Sequence, residues 1–157
     1  MKTVLMVVGK TVDKRLVSLI DDYTSRLKYY LPFSAEIIPE LKNARALTFD
    51  QQKEREADML LGRLETSDHV VLLDEGGREM RSIEFAAYLE KMQVRLSGRL
   101  VFVVGGPYGF SPRMYARAAE KISLSRLTFS HQMIRLLFVE QLYRAMTILR
   151  GEPYHHE

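Results

Sequence analysis

Cysteine is absent from this chain of 157 residues. Its absence removes disulfides, thiolate nucleophiles and cysteine-ligated zinc from the available chemistry, and it fits a reducing compartment. No apolar run is long enough to span a bilayer. The opening apolar stretch ends at Val8 and polar residues follow at once, too soon for the core of a secretion leader. The expectation is a cytoplasmic protein with no membrane partner. Low-complexity linkers, internal repeats and long charge runs are also missing, so the length reads as a single domain over residues 1–157. What is present is ordinary for a folded chain: 46% hydrophobic and 27% charged residues exclude wholesale disorder. A net charge of +3 and a pI near 9.2 suit a nucleic-acid partner without requiring one.

The apolar pattern alternates between strand and helix. Thr3 to Val8 is a continuous apolar run closed by Gly9, which predicts a buried strand. Val12, Leu16, Leu19, Ile20, Tyr23, Leu27, Tyr30 and Leu31 recur at helical spacing and stop before Pro32. A short strand is expected over Ala35 to Ile38, a loop over 40–47, a charged helix from Phe49 to Leu64 and a third strand from Val70 to Leu73. Asp74-Glu75-Gly76-Gly77 reads as the turn that ends this strand. Ser82 is the expected N-cap of a helix carrying Ile83 to Met92. Leu100 to Val104 predicts a fourth strand, broken by Gly105-Gly106-Pro107-Tyr108-Gly109. A short helix over Pro112 to Glu120, a strand near Ile122 to Leu124 and a last helix from His131 to Leu149 complete the series.

Such alternation implies an α/β fold, a parallel sheet with helices on both faces. Ligands on these sheets bind beyond the carboxyl ends of the strands, here the turns after Val8, Leu73, Val104 and Leu124. The last helix is apolar in every direction, from Ile134 to Leu149. A helix of that kind needs cover all round. It is either sunk in its own core or shared with a second copy of the chain, and the small size of the domain favours the second.

Individual motifs say less. Gly9-Lys10-Thr11 resembles the end of a phosphate-binding loop, but Val4 stands where that motif needs glycine. The glycines at 105, 106 and 109 do not open a helix at once, so they are not a dinucleotide fingerprint. They serve a tight turn or a close approach to a ligand. Leu124 to Gln132 is the densest mixed polar and apolar cluster. Within it Ser130 can cap the last helix, and His131 is either a hydrogen-bonded structural residue or a base. Glu140 and Arg144 stand at i and i+4, the favourable order for a helix ion pair. Arg144 nevertheless lies in apolar surroundings. His69 has no evident partner in the sequence and reads as structural. No serine triad, carboxylate pair or metal-ligand spacing stands out.

Four ordered motifs stand out along the chain: Val7-Val8-Gly9-Lys10, Val101 to Gly109, Leu124 to Arg135 with Glu140 to Ala145, and Gly151-Glu152-Pro153-Tyr154-His155. Together they resemble the RlmH family, the large-subunit ribosomal RNA pseudouridine N3-methyltransferases of the SPOUT class. The resemblance covers essentially the whole chain. It implies a SPOUT-type parallel sheet flanked by helices with a C-terminal trefoil knot over about residues 100–157, and a homodimer formed through that region. It implies S-adenosyl-L-methionine as cofactor, held by Leu73, Gly105, Leu124, Ser125, Arg126, Leu127, Thr128 and Phe129, with no metal. It also implies methylation of N3 of a pseudouridine in 23S ribosomal RNA within the assembled ribosome. His131, Arg144, Tyr154 and His155 are then the candidates for managing the proton and the charge of the reacting imide. The tail departs from several relatives at His156, where they carry Lys or Arg, which weakens a phosphate grip at neutral pH. Two other readings remain open at this point: a SPOUT methyltransferase acting on another RNA such as tRNA, and a non-catalytic RNA-binding ribosome-assembly factor. A dimeric nucleotide-binding module is a third.

Overall fold

The computed structural model describes residues 1–156. Five strands alternate with helices along them: β1 (Lys2–Val8), α1 (Lys14–Leu27), β2 (Phe33–Ile38), α2 (Phe49–Arg63), β3 (His69–Glu79), α3 (Ser82–Arg95), β4 (Arg99–Val104), α4 (Pro112–Arg117), β5 (Glu120–Ser123) and α5 (Met133–Leu149). A 3-10 turn over Ala44–Ala46 interrupts the loop before α2.

The strands form one parallel sheet in the order β2-β1-β4-β3-β5. Successive side chains on a strand face opposite ways, and this divides the core in two. Leu5, Val7, Leu100, Phe102, Val104 and Val71 pack beneath α1, α3 and α5. Val4, Met6, Val8, Val101, Val103, Val70 and Leu72 pack against α2 and α4. Cover on both faces explains why the strand sequences read as continuous apolar runs rather than alternating ones.

Local chemistry sets the helix starts. Asp13 accepts from the Arg15 backbone N–H and caps α1, so Val12 stays outside the helix and 77% exposed. Thr48 and Gln51 form a reciprocal capping box at α2. At α3 the expected cap is displaced by one residue. Arg81 occupies the cap position and its N–H donates to Glu84, whereas Ser82 lies inside the helix and donates to Gln141 of α5 at 2.8 Å. Ser130 Oγ accepts from Met133 N–H at the start of α5. Tyr30 and Leu31, expected on α1, lie just beyond its end and still pack into the core.

Two further expectations are corrected. Asp74–Gly77 does not end β3. It is an irregularity inside it, and pairing with β5 resumes at Arg78 and Glu79. A Cβ on Gly77 would stand 2.7 Å from the backbone of Lys121 and Ile122, so only glycine lets β3 pass so near β5. The helix expected to reach Glu120 stops at Arg117, because Glu120 begins β5. His69, which lacked a partner on sequence grounds, meets Glu120 at 2.8 Å, and Tyr88 donates to the same carboxylate oxygen.

The last helix shows how much of an all-round apolar surface its own chain encloses. Phe138, Val139, Leu142, Ala145 and Met146 are buried between α1 and α3. Leu136, Leu137, Tyr143 and Ile148 are only half-buried, and Met133 is 40% exposed.

Candidate active site at the carboxyl ends of the strands

A cavity of about 410 Å³ opens beyond the ends of β4 and β5, beside the irregularity within β3. That is within the range of roughly 300–1,000 Å³ that holds a small organic ligand. Its walls come from three segments: Leu73, Asp74 and Glu75 at the irregularity in β3; Gly105 to Phe110 after β4; and Ser123 to Ser125 with Leu127 to Phe129 at and after the end of β5, with His131 and Ile134 closing one side. Of the residues expected at a cofactor, Leu73, Gly105, Leu124, Ser125, Leu127, Thr128 and Phe129 line this space. Arg126 does not, since its exposed guanidinium turns to Glu79 at 3.1 Å.

The walls are built for close approach. A Cβ on Gly105 would lie 3.2 Å from the Phe110 ring and 3.3 Å from the Gly109 carbonyl oxygen, so the backbone itself forms the surface there. Ser123 Oγ donates to the Ser125 carbonyl and Ser125 Oγ accepts from Leu127 N–H, which folds the loop after β5 onto itself. Leu127 remains 72% exposed. Backbone groups and apolar side chains in a glycine-walled cleft suit an adenosine linked to an amino acid, so the donor set fits S-adenosylmethionine.

The loop then returns across the sheet. Gln132 Nε2 donates to the Lys10 carbonyl and its Oε1 accepts from Val12 N–H. Arg135 is 2% exposed and donates to the carbonyls of Val8, Gly9 and His131 at 2.8, 2.8 and 3.0 Å, and to Thr11. One buried guanidinium thus ties the end of β1 to the entry of α5 and fixes the His131 backbone at the rim. Burial holds the His131 imidazole below its ordinary range, the Arg135 charge adds to this, and Glu40 opposes it. Neutral imidazole, a proton acceptor, is therefore the form at neutral pH.

The other candidates assemble elsewhere. Glu140 Oε1 accepts from Arg144 Nη2 at 2.5 Å, from Arg144 Nε at 3.1 Å and from the Tyr154 hydroxyl at 3.0 Å. Arg144 Nη1 donates to His155 Nδ1 at 3.1 Å, and its guanidinium lies over the Tyr154 ring. Tyr23 of α1 meets Tyr154 at 3.1 Å, and Tyr30, just beyond α1, donates to Glu152 at 2.6 Å, fastening the tail. Burial, then the bonds to Tyr23 and Glu140, push the Tyr154 hydroxyl well up, so it remains a donor. None of these residues lines the cavity. Ile134, which does, precedes Arg144 by ten positions on α5, roughly 15 Å along the axis. The structure thus brings His131 to the cavity and leaves Arg144, Tyr154 and His155 in a second cluster.

Sequence reasoning missed the acidic side of the cavity. Asp74 and Glu75 read only as turn residues, and nothing marks Glu56, whose carboxylate presses on Gly106. Among the described residues no group of three or more His, Cys, Asp or Glu could hold a metal ion, and no helix is long and apolar enough to cross a membrane.

Comparison with known proteins decides the family. A family model described as "Predicted SPOUT methyltransferase" matches residues 1–155. The chain belongs to the SPOUT methyltransferases. It is 59% identical over 157 residues to a Bacteroides fragilis protein named ribosomal RNA large subunit methyltransferase H, covering 100% of both chains. Proteins of the same name from Bacteroides thetaiotaomicron, at 58% over 157 residues and 100% of both chains, and Flavobacterium johnsoniae, at 52% over 153 residues and 98% of both chains, are similar. Membership makes the protein a methyltransferase that draws on a methyl-donor cofactor. It also accords with the parallel sheet flanked by helices.

Proposed function

We propose that this SPOUT methyltransferase transfers a methyl group from S-adenosyl-L-methionine to N3 of a pseudouridine in 23S ribosomal RNA, within the assembled ribosome. It works in the cytoplasm as a homodimer, with residues 1–157 as one domain and a trefoil knot over about residues 100–157. The observation that carries this reading is full-length similarity to relatives named for the large ribosomal RNA, joined to a cavity of cofactor size at the strand ends. Support for the knot comes from the return of the chain after β5, past the β4 loop, to bonds with Lys10 and Val12 beyond β1.

S-adenosylmethionine, when bound, supplies an electrophilic methyl on a sulfonium sulfur. The chain's residues have the remaining work. Leu73, Gly105 and the Leu124–Phe129 loop hold the cofactor by backbone and apolar contact, with Arg126 at their outer edge. His131, neutral and fixed through Arg135, accepts the imide proton. The Arg144 guanidinium, steadied by Glu140, stabilises the negative charge that develops on the imide as the proton leaves. Tyr154 and His155 position that guanidinium.

The separation of the two clusters supports the homodimer. One chain holds Arg144 about 15 Å along α5 from its own cavity. A two-fold partner laying its α5 against the half-buried Leu136 and Leu137 face would bring its Arg144 cluster toward this cavity.

The test is transfer of labelled methyl to ribosomes from a strain lacking the modification, with the label mapped by mass spectrometry. Label at N3 of one large-subunit pseudouridine is the expected result. Cofactor binding without label on ribosomes would move the substrate to another RNA such as tRNA. Neither label nor cofactor binding would leave the assembly-factor reading.

A further inference from the structure

The cavity has a sign. Asp74 and Glu75 line it, and no lysine or arginine does, although the chain as a whole carries a charge of +3. The partners of Asp74 are neutral: the Tyr115 hydroxyl donates to one oxygen and the Gly76 N–H to the other. Such bonds orient a carboxylate without cancelling its charge. Glu75 is exposed and has no ion pair among the described residues. Behind the glycine wall, a Cβ on Gly106 would stand 2.6 Å from one Glu56 carboxylate oxygen and 2.8 Å from its carbon. Glu56 also has no ion pair among the described residues. Burial pushes its carboxyl up while the Gly106 N–H draws it down, and a cation in the cavity would draw it further.

Three neighbouring cations are held by side chains outside the cavity lining. Arg126 pairs with Glu79, Arg113 pairs with Glu54 and Asp58, and Lys121 lies over the Tyr115 ring. Among the side chains that line the cavity the acidic ones are Asp74 and Glu75, and the buried Arg135 guanidinium behind His131 is engaged by the carbonyls of Val8, Gly9 and His131, so a cationic ligand meets complementary charge where an anionic one such as a nucleoside polyphosphate does not.

We propose that Asp74, Glu75 and Glu56 make this cavity select the positively charged sulfonium cofactor over the neutral thioether that it becomes. The proposal rests on S-adenosylmethionine being the cofactor. During transfer the methyl carbon forms a bond to N3, and the C–S bond breaks with its electron pair passing to sulfur. The N3 proton goes to a base on the enzyme. The ligand thereby loses one positive charge in place, and the carboxylates lose their hold on it. Binding and release are then set by one unit of charge rather than by a change in shape.

The test is calorimetry on the full-length protein with S-adenosylmethionine, S-adenosylhomocysteine and ATP. Measurements run at low and high salt, in the wild type and in Glu75→Gln and Glu56→Gln. Wild type should bind the sulfonium roughly fivefold or more tightly than the thioether at low salt, and ATP should not bind. High salt should draw the two affinities together. Each substitution should narrow the ratio mainly by weakening the sulfonium. Glu75 makes no bond that folding needs, so its variant keeps the test clear of unfolding. Equal affinities in the wild type, or a ratio indifferent to both salt and Glu75→Gln, would overturn the proposal while leaving the cofactor in place. Failure of both ligands to bind would remove the cofactor reading and this proposal with it.

Discussion

Gly105 leaves little room for a side chain, because a Cβ would press on the Phe110 ring and the Gly109 carbonyl. Gly105→Val adds two further methyl groups at the cavity wall. We expect a folded protein whose affinity for S-adenosylmethionine falls by about tenfold or more in calorimetry; unchanged affinity would move the cofactor elsewhere. Arg144 makes its bonds within its own cluster, at a position three-quarters covered, so Arg144→Ala should leave the oligomeric state of the wild type unchanged and abolish most methyl transfer. Near-normal single-turnover rates would remove it from the mechanism. His131 carries a pH prediction with a definite sign. Its folded pKa is lowered, so neutral imidazole is present above the ordinary histidine value near 6.5 and is lost as pH falls below it. If His131 takes the proton, the transfer rate should hold through pH 6.5 and decline only on further acidification. His131→Gln should lose that acid limb, and a limb that persists would assign it to another group. At this scale the sequence exposed residues whose type is unusual for their surroundings, such as Arg144 in an apolar helix. It hid those whose role depends on a distant neighbour. Glu56 is one more charge on a charged helix until the fold sets it on Gly106.

Elements were legible where one local rule decides them. The strands β1 and β4 are uniform apolar runs, and covering both faces of the sheet gives such runs their meaning. The start of α2 follows from Thr48 and Gln51 alone. Errors fell where tertiary contact overrides the local signal. Asp74–Gly77 has the composition of a turn, yet β5 pairs with the chain on both sides of it and makes it part of β3. Ser82 has the chemistry of a cap, yet its hydroxyl is drawn to Gln141 on α5. Helix α5 carries the largest share of the consequence, since it completes the core beneath the sheet and extends from the cavity to the Arg144 cluster. Leu142 at its centre is fully buried among α1, α3 and β4 side chains. Leu142→Ala should cost about 2–5 kcal/mol by urea denaturation. A smaller loss would mean that the α1–α5–α3 layer closes over the gap.

For the whole molecule, the decisive fact is that the strand-end cavity and the Arg144–Tyr154–His155 cluster do not meet within one chain. A bound methyl donor needs its acceptor within bonding distance of the methyl carbon. Groups that stabilise the acceptor therefore cannot act from roughly 15 Å away along a rigid helix. A two-fold dimer resolves this if each cavity faces the partner's cluster, and that arrangement makes a prediction no single-chain site can match. Gly105→Val damages only the cavity, and Arg144→Ala damages only the cluster. In a mixed dimer of the two variants, isolated through two different affinity tags, one site pairs both damaged parts and the other pairs both intact parts. Such a dimer should transfer methyl at roughly half the wild-type rate per dimer, although each parent variant is nearly inactive. If cavity and cluster of the same protomer formed the site, the mixed dimer would be as inactive as its parents. Recovery near one half would thus establish a shared site and identify the partner as the source of the arginine. It would also explain why α5 keeps Leu136 and Leu137 apolar on a face that its own chain only half covers.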